Sequence, residues 1–229
     1  MFTRKNGASH SPFSSLNVSY GVGDAPDHVG ENRRKIKEVL GIRFLVSSNQ
    51  IHANKIQPVG PVSGDTELKG YDALTTNTPG VGLLIQQADC QAILLHDPDK
   101  RAIAAIHCGW RGSVLNIIQS TIACMQEKYR TEPGSLRAVI SPSLGPCCAE
   151  FMHYRTELPE QFYQFQPTTN HFNFWEISRL QLLEAGLTEA NIDLVNICTA
   201  CNRDFFSYRR NRKKGKRSTG RHGSVICLA

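Results

Sequence analysis

Apolar positions along this chain follow two periods. Val29, Ile36, Val39 and Leu40 recur at helical spacing in PDHVGENRRKIKEVLGI, and Gly41 follows as a stop. The pattern predicts a helix from Pro26 to Gly41. RFLVSSNQIHANKI reads as a strand that runs into a polar turn holding His52. SGDTELKGYDALTTNTPG, with Gly64, Gly70 and Gly80, reads as a turn-rich connection. VGLLIQQADC, QAILLHD and RAIAAIHC are apolar runs of strand length. The DPDK between the last two is a turn signal, so they are expected to pair as a hairpin.

A second helix is predicted over GSVLNIIQSTIACMQEKY, with Val114, Leu115, Ile117, Ile118, Ile122 and Met125 on one face. The segment HCGWRG, His107 to Gly112, is then a strand-to-helix junction. Helix N-termini present free N–H groups and favour anions. SLRAVISPSLGPCC reads as a strand followed by a tight turn, and FWEISRLQLLEAGL as a helix stopped near Gly186. ANIDLVNIC, DFFSYRR and HGSVICLA read as closing strands. Without repeats or a linker, the order predicts one α+β domain over residues 1–229, with a mixed sheet system and helices outside it.

The totals narrow the setting. The chain has 229 residues, 40% of them hydrophobic and 20% charged, as expected of a soluble globular protein able to bury a core. No apolar run approaches the roughly 20 residues of a membrane span. No apolar stretch follows the basic start, so no secretory signal is read. Eight cysteines without signs of export are expected to be reduced thiols in a cytoplasmic protein.

The net charge of +6 is concentrated in YRRNRKKGKRSTGR, Tyr208 to Arg221. Without that segment the rest is slightly acidic. It reads either as a solvated hairpin tip or as an attractor of an anionic ligand such as phosphate or a nucleotide. Nucleic acid is disfavoured, because aromatics are not interleaved and no recognised binding signature is present.

Candidate chemistry lies at the ends of apolar runs. Cys90 and His107 flank the expected hairpin, so pairing of its strands brings them together. With His52 they form a set suited to zinc, and three protein ligands leave a fourth position open. Alternatively, Cys90 and His107 are a nucleophile and its base, or all three are packed residues. Asp89 is positioned to orient a ligand or shuttle a proton, and Arg111 to hold phosphate. CTAC, Cys198 to Cys201, reads as packed thiols, as a redox pair, or as half of a structural zinc site whose partner is CC at 147–148.

SLNVSYGVGD, NQIHANKI, ADCQAILLHD, AAIHCGWRG, GPCC and FFSYRR…TGRHGSVICL occur in that order. By these motifs the chain resembles the YfiH-type family, long labelled polyphenol oxidase or laccase-domain proteins, over nearly its whole length. The resemblance implies a β-sandwich core with flanking helices, similar to the catalytic domain of cytotoxic necrotizing factor toxins. It implies a broad-specificity purine nucleoside phosphorylase acting on adenosine, inosine and methylthioadenosine with phosphate, and adenosine deamination. The family's metal triad maps onto His52, Cys90 and His107, with zinc the expected ion and copper a substitute in vitro. In this reading Arg111 and Arg209 or Arg210 hold phosphate, Phe205 or Phe206 stacks on the base, and Asp89 moves the proton.

Three further readings accompany this one. The first is a metal-independent cysteine hydrolase using Cys90 and His107 on an amide such as a cell-wall precursor. The others are a copper polyphenol oxidase and a non-enzymatic metal-binding interaction domain. The chain departs from the family pattern at Ala53, usually Gly, at Cys108, usually Ala, and at His10, where a Gly is usual.

Overall fold

The computed structural model describes residues 1–215 and 218–228. Its elements in chain order are α1 (Pro26–Leu40), β1 (Phe44–Asn49), β2 (Ile56–Pro58), β3 (Thr66–Lys69), β4 (Ala73–Thr76), β5 (Val81–Gln87), β6 (Gln91–Asp97) and β7 (Ala102–Cys108). There follow α2 (Trp110–Val114), α3 (Ile117–Tyr129), β8 (Arg137–Ile140), α4 (Tyr154–Glu157), α5 (Phe174–Glu184), β9 (Ile192–Leu194), α6 (Tyr208–Lys213) and β10 (His222–Cys227).

The strands form two mixed sheets, ordered β10-β5-β1-β3 and β2-β4-β7-β6-β8-β9. They pack face to face through Val46, Leu83 and Ile85 of the first and Leu74, Ala92, Leu94, Ile103 and Ala105 of the second. The alternate residues also find cover. Ile93, Leu95, Ala104 and Ile106 meet Ile117, Ile118, Ile122 and Met125 of α3 and Leu182 of α5. Leu45, Leu84 and Val225 meet Ile36 of α1. Burial on both faces explains why β5, β6 and β7 read as unbroken apolar runs instead of alternating ones. The arrangement is an α+β sandwich.

The hairpin forms as expected, with Gln91 opposite Cys108 and Asp97 opposite Ala102. Asp97 closes its turn by accepting from the amides of Asp99 and Lys100.

Several elements differ from expectation. The turn-rich connection contains β3 and β4, short strands whose hydrogen bonds come from distant β1 and β7. The helix after HCGWRG is two helices. Asn116 takes a left-handed conformation (φ 50°) and its side chain accepts from Gln119 N, starting α3 afresh. The break leaves Val114 and Leu115 exposed instead of on the apolar face. Val39 of α1 is likewise 75% exposed. That helix instead buries Asn32, bonded to Ser9, Ser15 and Asn17, and Arg33, bonded to Val18, Ser47 and Glu67.

The C-terminal region differs most. DFFSYRR is not a strand: Phe205 and Phe206 are buried in an irregular segment, and Ser207 caps α6 by accepting from Arg210 N at 3.1 Å. The basic segment is therefore a short helix and a return to β10, not a hairpin tip. Its Lys216 and Arg217 lie outside the described residues.

Candidate metal and substrate site

Residues from distant parts of the chain meet at one end of the sandwich. His52 lies in the turn after β1, Cys90 in the turn before β6, and His107 near the end of β7. Their ligand atoms all lie within 4.8 Å of one another. Cys90 Sγ is 3.8 Å from His52 Nε2, and the two imidazole rings meet edge to face with centroids 4.7 Å apart. The hairpin register supplies part of this: Ala92 opposes His107, so Cys90 arrives beside the end of β7.

Asp72, at the entrance to β4, holds the array together. One oxygen accepts from His107 Nδ1 at 2.9 Å and from His52 N at 2.9 Å, and the other from Ala53 N at 2.8 Å and Ile51 N at 3.4 Å. The His107 bond leaves Nε2 free to face Cys90, which is how a carboxylate orients a metal-binding histidine. The amide bonds fix His52 in a left-handed conformation (φ 59°), which surrounding bonds must enforce in a non-glycine residue. The positive φ falls on His52 and not on Ala53, so the extra methyl of Ala53 fits the turn.

Asp72 is a site residue that the sequence reading missed. It sits in a segment read as a turn, and its only local signal is an acid placed directly before an apolar strand.

Charge follows geometry. Burial raises the Asp72 carboxyl, but the bonds from His107, Ala53 and His52 outweigh it and hold Asp72 below its ordinary range. Burial raises the Cys90 thiol too, yet the neighbouring His107 charge and bonds from both histidines bring it down to about 6. Burial lowers His107, while Cys90 and Asp72 lift it to about 9. Without metal the site is thus a thiolate–imidazolium pair.

The stabilising contributions have opposite signs. That of Cys90, ordinarily near 9.0, is lost as pH falls through about 6. That of His107, ordinarily near 6.5, is lost as pH rises through about 9. The pair is intact between these limits. In metal-free protein, alkylation of Cys90 by iodoacetamide is therefore expected to rise with a midpoint near pH 6. Rates at this residue, followed by peptide mass spectrometry, check it; a midpoint near 9 would deny the pairing.

Glycine 109 completes the cradle. A Cβ there would come within 3.0 Å of His52 Cδ2 and 3.1 Å of Cys90 Sγ, so a larger residue would press on both donors. Cys108 points the other way, into the core beside Ser113 Oγ, and burial pushes its thiol up to about 12. The alternation of a strand thus removes it from the ligand set.

These donors face a cavity of about 730 Å³, a size suited to a small ligand. One wall carries aromatic and apolar groups, Trp110, Phe151, Met152 and Phe174; another is polar, with Asn49, Gln50, Glu67 and Gln86. Asp89, Arg209 and Arg221 border it as well. Asp89 is held at φ 93°, its two oxygens accepting from Thr199 Oγ1 at 2.7 Å and from Arg209 N at 2.6 Å. Arg209 donates to Glu150 O, and Arg221 to the carbonyls of Thr219 and Gly220.

Four sequence candidates, Arg111, Arg210, Phe205 and Phe206, lie outside this lining. Arg111 is exposed, stacks over the Trp110 ring at 5.0 Å, and lies outside the lining. Phe206 is fully buried beneath the Arg4 guanidinium, with Gly220 pressed against its ring. Phe205 is packed on His222. The aromatic faces at the cavity are those of Trp110 in the HCGWRG junction, of Phe151 and Phe174, and of Tyr208 at the start of α6.

The sequence pattern of the family described as multi-copper polyphenol oxidoreductase laccase matches residues 1–229. The chain belongs to this family. Among laccase-domain relatives, it is 32% identical over 227 residues to a Bacteroides thetaiotaomicron protein named purine nucleoside phosphorylase, covering 91% of this chain and 84% of that one. It is also 32% identical over 229 residues to purine nucleoside phosphorylase YlmD of Geobacillus stearothermophilus, covering 92% and 84%. The crystal structure of Bacillus licheniformis hypothetical protein YfiH matches the fold with a TM-score of 0.89 at 31% identity, over 99% of this chain and 91% of that one. That of Geobacillus stearothermophilus YlmD gives 0.86 at 30%, over 99% and 89%.

The family's laccase description sits poorly with the donors present. A multicopper oxidase needs a large histidine set beside its His₂Cys centre. Among the described residues, the two clusters able to hold a metal contain only His52 and His107 as histidines. Among the described residues, no helix is long and apolar enough to cross a membrane.

Proposed function

We propose that this chain is a zinc-dependent purine nucleoside phosphorylase of broad nucleoside specificity that also deaminates adenosine. The observation that carries the reading is the His52–Cys90–His107 array, oriented by Asp72 and opening on a cavity that bears two arginines. The names of the relatives supply the reaction class.

The donor set fits zinc: two imidazoles and a thiolate converge, and the cavity leaves a further position accessible. Zinc held there supplies Lewis-acid polarisation of substrate or water. The protein's own groups do the rest. In phosphorolysis a phosphate oxygen forms a bond to C1′ while the bond from C1′ to the purine breaks. Positive charge develops on the sugar and negative charge on the leaving base, so the phosphate needs anchoring beside the ring.

Arg209, a phosphate candidate from the sequence, and Arg221 are the arginines at the cavity, and Arg221 takes the phosphate role that the sequence suggested for Arg111. Trp110 and Phe151 offer the apolar face against which a base can lie, in place of Phe206. Asp89 stays the carboxylate proposed to move protons in deamination. Its bonds to Thr199 and Arg209 N keep it in place beside Cys90.

Arg221→Ala is expected to raise the KM for phosphate by about tenfold or more, the loss of a charge-assisted hydrogen bond, with a smaller change in the KM for nucleoside. Arg111→Ala is expected to change the phosphate KM far less. Steady-state kinetics at varied phosphate check both, and equal effects on the two substrates would remove Arg221 from the phosphate site.

The overall reading is tested by metal analysis beside phosphate-dependent release of adenine from adenosine. Release that persists unchanged in fully chelated protein would sink the zinc requirement. One observation favours a second reading: Cys90, His107 and Asp72 also have the order of a nucleophile, base and orienting acid. A cysteine hydrolase would act without metal and lose activity on alkylation of Cys90.

A further inference from the structure

A second group of potential ligands lies apart from the His52 array. Cys147 and Cys148 follow the Gly145–Pro146 turn after β8, and Cys198 and Cys201 bracket the turn after β9. All four Sγ atoms lie within 4.8 Å of one another. Cys201 Sγ is 3.7 Å from Cys147 Sγ and 3.6 Å from Cys148 Sγ. None of the four is disulfide-bonded. The geometry points to a structural zinc site of four cysteines, Cys147, Cys148, Cys198 and Cys201.

The distances carry the argument. Tetrahedral coordination with Zn–S bonds of about 2.3 Å sets neighbouring sulfurs about 3.8 Å apart, close to both measured separations. The backbone brings the two loops together independently of any metal. Ser143 bridges to Cys198, with Ser143 N donating to Ile197 O and Thr199 N to Ser143 O. A Cβ on Gly145 would fall 2.9 Å from Cys198 Cβ, so glycine is what permits this approach. Each loop is closed by its own turn, Cys148 N to Gly145 O and Asn202 N to Cys198 O.

The surroundings suit the charge. Binding Zn²⁺ releases the thiol protons to solvent and leaves four thiolates with a net charge of −2 around the ion. Arg210 lies against the same loop, donating to the carbonyls of Thr199, Ala200, Asn202 and Phe205. A closed set of four sulfurs leaves no position for substrate, which makes the site structural and not catalytic. Its place gives it a purpose. Leu144 N donates to Asp89 O, and Thr199 Oγ1 donates to the Asp89 carboxylate. Clamping the two loops thus fixes the turn that presents Cys90.

The site is independent of the proposed reaction, and its test does not use activity. Full-length protein purified in the presence of Zn²⁺ and desalted is analysed for metal by mass spectrometry. Two zinc ions per chain are expected in the wild type, one in Cys201→Ser, one in His52→Ala and none in the double variant. In addition, Co²⁺ reconstitution of His52→Ala is expected to give the sulfur-to-metal charge-transfer bands and intense d–d bands of a tetrahedral tetrathiolate. That measurement needs no cysteine variant and stands if Cys201→Ser fails to fold.

Zinc content unchanged by Cys201→Ser in folded protein would overturn the proposal. So would iron in place of zinc, disulfides among these four cysteines in freshly isolated protein, or Co²⁺ spectra without thiolate bands in His52→Ala.

Discussion

Cys90→Ala is expected to remove the metal from the His52 array and to lower phosphorolysis and deamination together by about a thousandfold, the several kcal/mol supplied by Lewis-acid polarisation. The alanine leaves two imidazoles, too few to hold zinc against solvent, and removes the thiolate paired with His107. The fold is expected to persist, because Cys90 is not part of the apolar core between or outside the sheets. Metal analysis, adenine release and thermal unfolding on one preparation test this. Loss of zinc with phosphorolysis intact would separate the array from that reaction.

The second large effect is expected at a residue that touches no substrate. Asp72→Asn should weaken zinc binding by about 10–100-fold, the range for carboxylates that orient ligating histidines. The reason lies in the bonding. Asp72 accepts four N–H donors on two oxygens. An asparagine oriented to keep the His107 bond turns its NH₂ toward the amides of Ile51 and Ala53. Flipped, it loses His107. Either way a buried donor is left unsatisfied, at a cost of about 1–3 kcal/mol. Competition with a zinc chelator, read beside the melting temperature, checks the prediction. A loss of stability with unchanged zinc affinity would reduce Asp72 to a packing role.

The long helix α1, the β6–β7 hairpin and the β10 terminus were legible because their signals are local. Gly41 ends α1 in the left-handed region, and DPDK closes the hairpin through Asp97. The hairpin also made the meeting of Cys90 and His107 foreseeable, since two ends of one antiparallel pair lie side by side. His52 stood out only by its type and its place in a turn after an apolar run: no spacing rule connects it to residues 38 and 55 positions further on, and the family resemblance supplied the link.

Where local signals misled, a tertiary contact had prevailed. Phe205 and Phe206 have strand composition, but their segment finds no ladder partner and Ser207 starts a helix instead. Val39 completes a helical stripe on paper, yet α1 turns Asn32 and Arg33 inward because the N-terminal segment offers Asn32 carbonyl and hydroxyl partners, and Val18, Ser47 and Glu67 offer Arg33 a carbonyl, a hydroxyl and a carboxylate. Arg111 has the charge for phosphate but lies on the outer side of the junction. Arg221, unremarkable within a basic run, reaches the cavity because β10 pairs with β5 and draws its preceding residue inward.

The sequence by itself therefore determined the buried strands, the hairpin and the pairing of a thiol with an imidazole, all consequences of period and short-range closure. Only the tertiary structure decided that Asp72 would orient both histidines, that Arg221 would face the cavity beside Arg209 while Arg111 would not, and that, of the readings left open for CTAC, the one that joins it to the cysteines at 147–148 has the four sulfurs together. Those facts depend on contacts between residues tens of positions apart, set by how two sheets and their loops pack, and no local pattern in the chain encodes them.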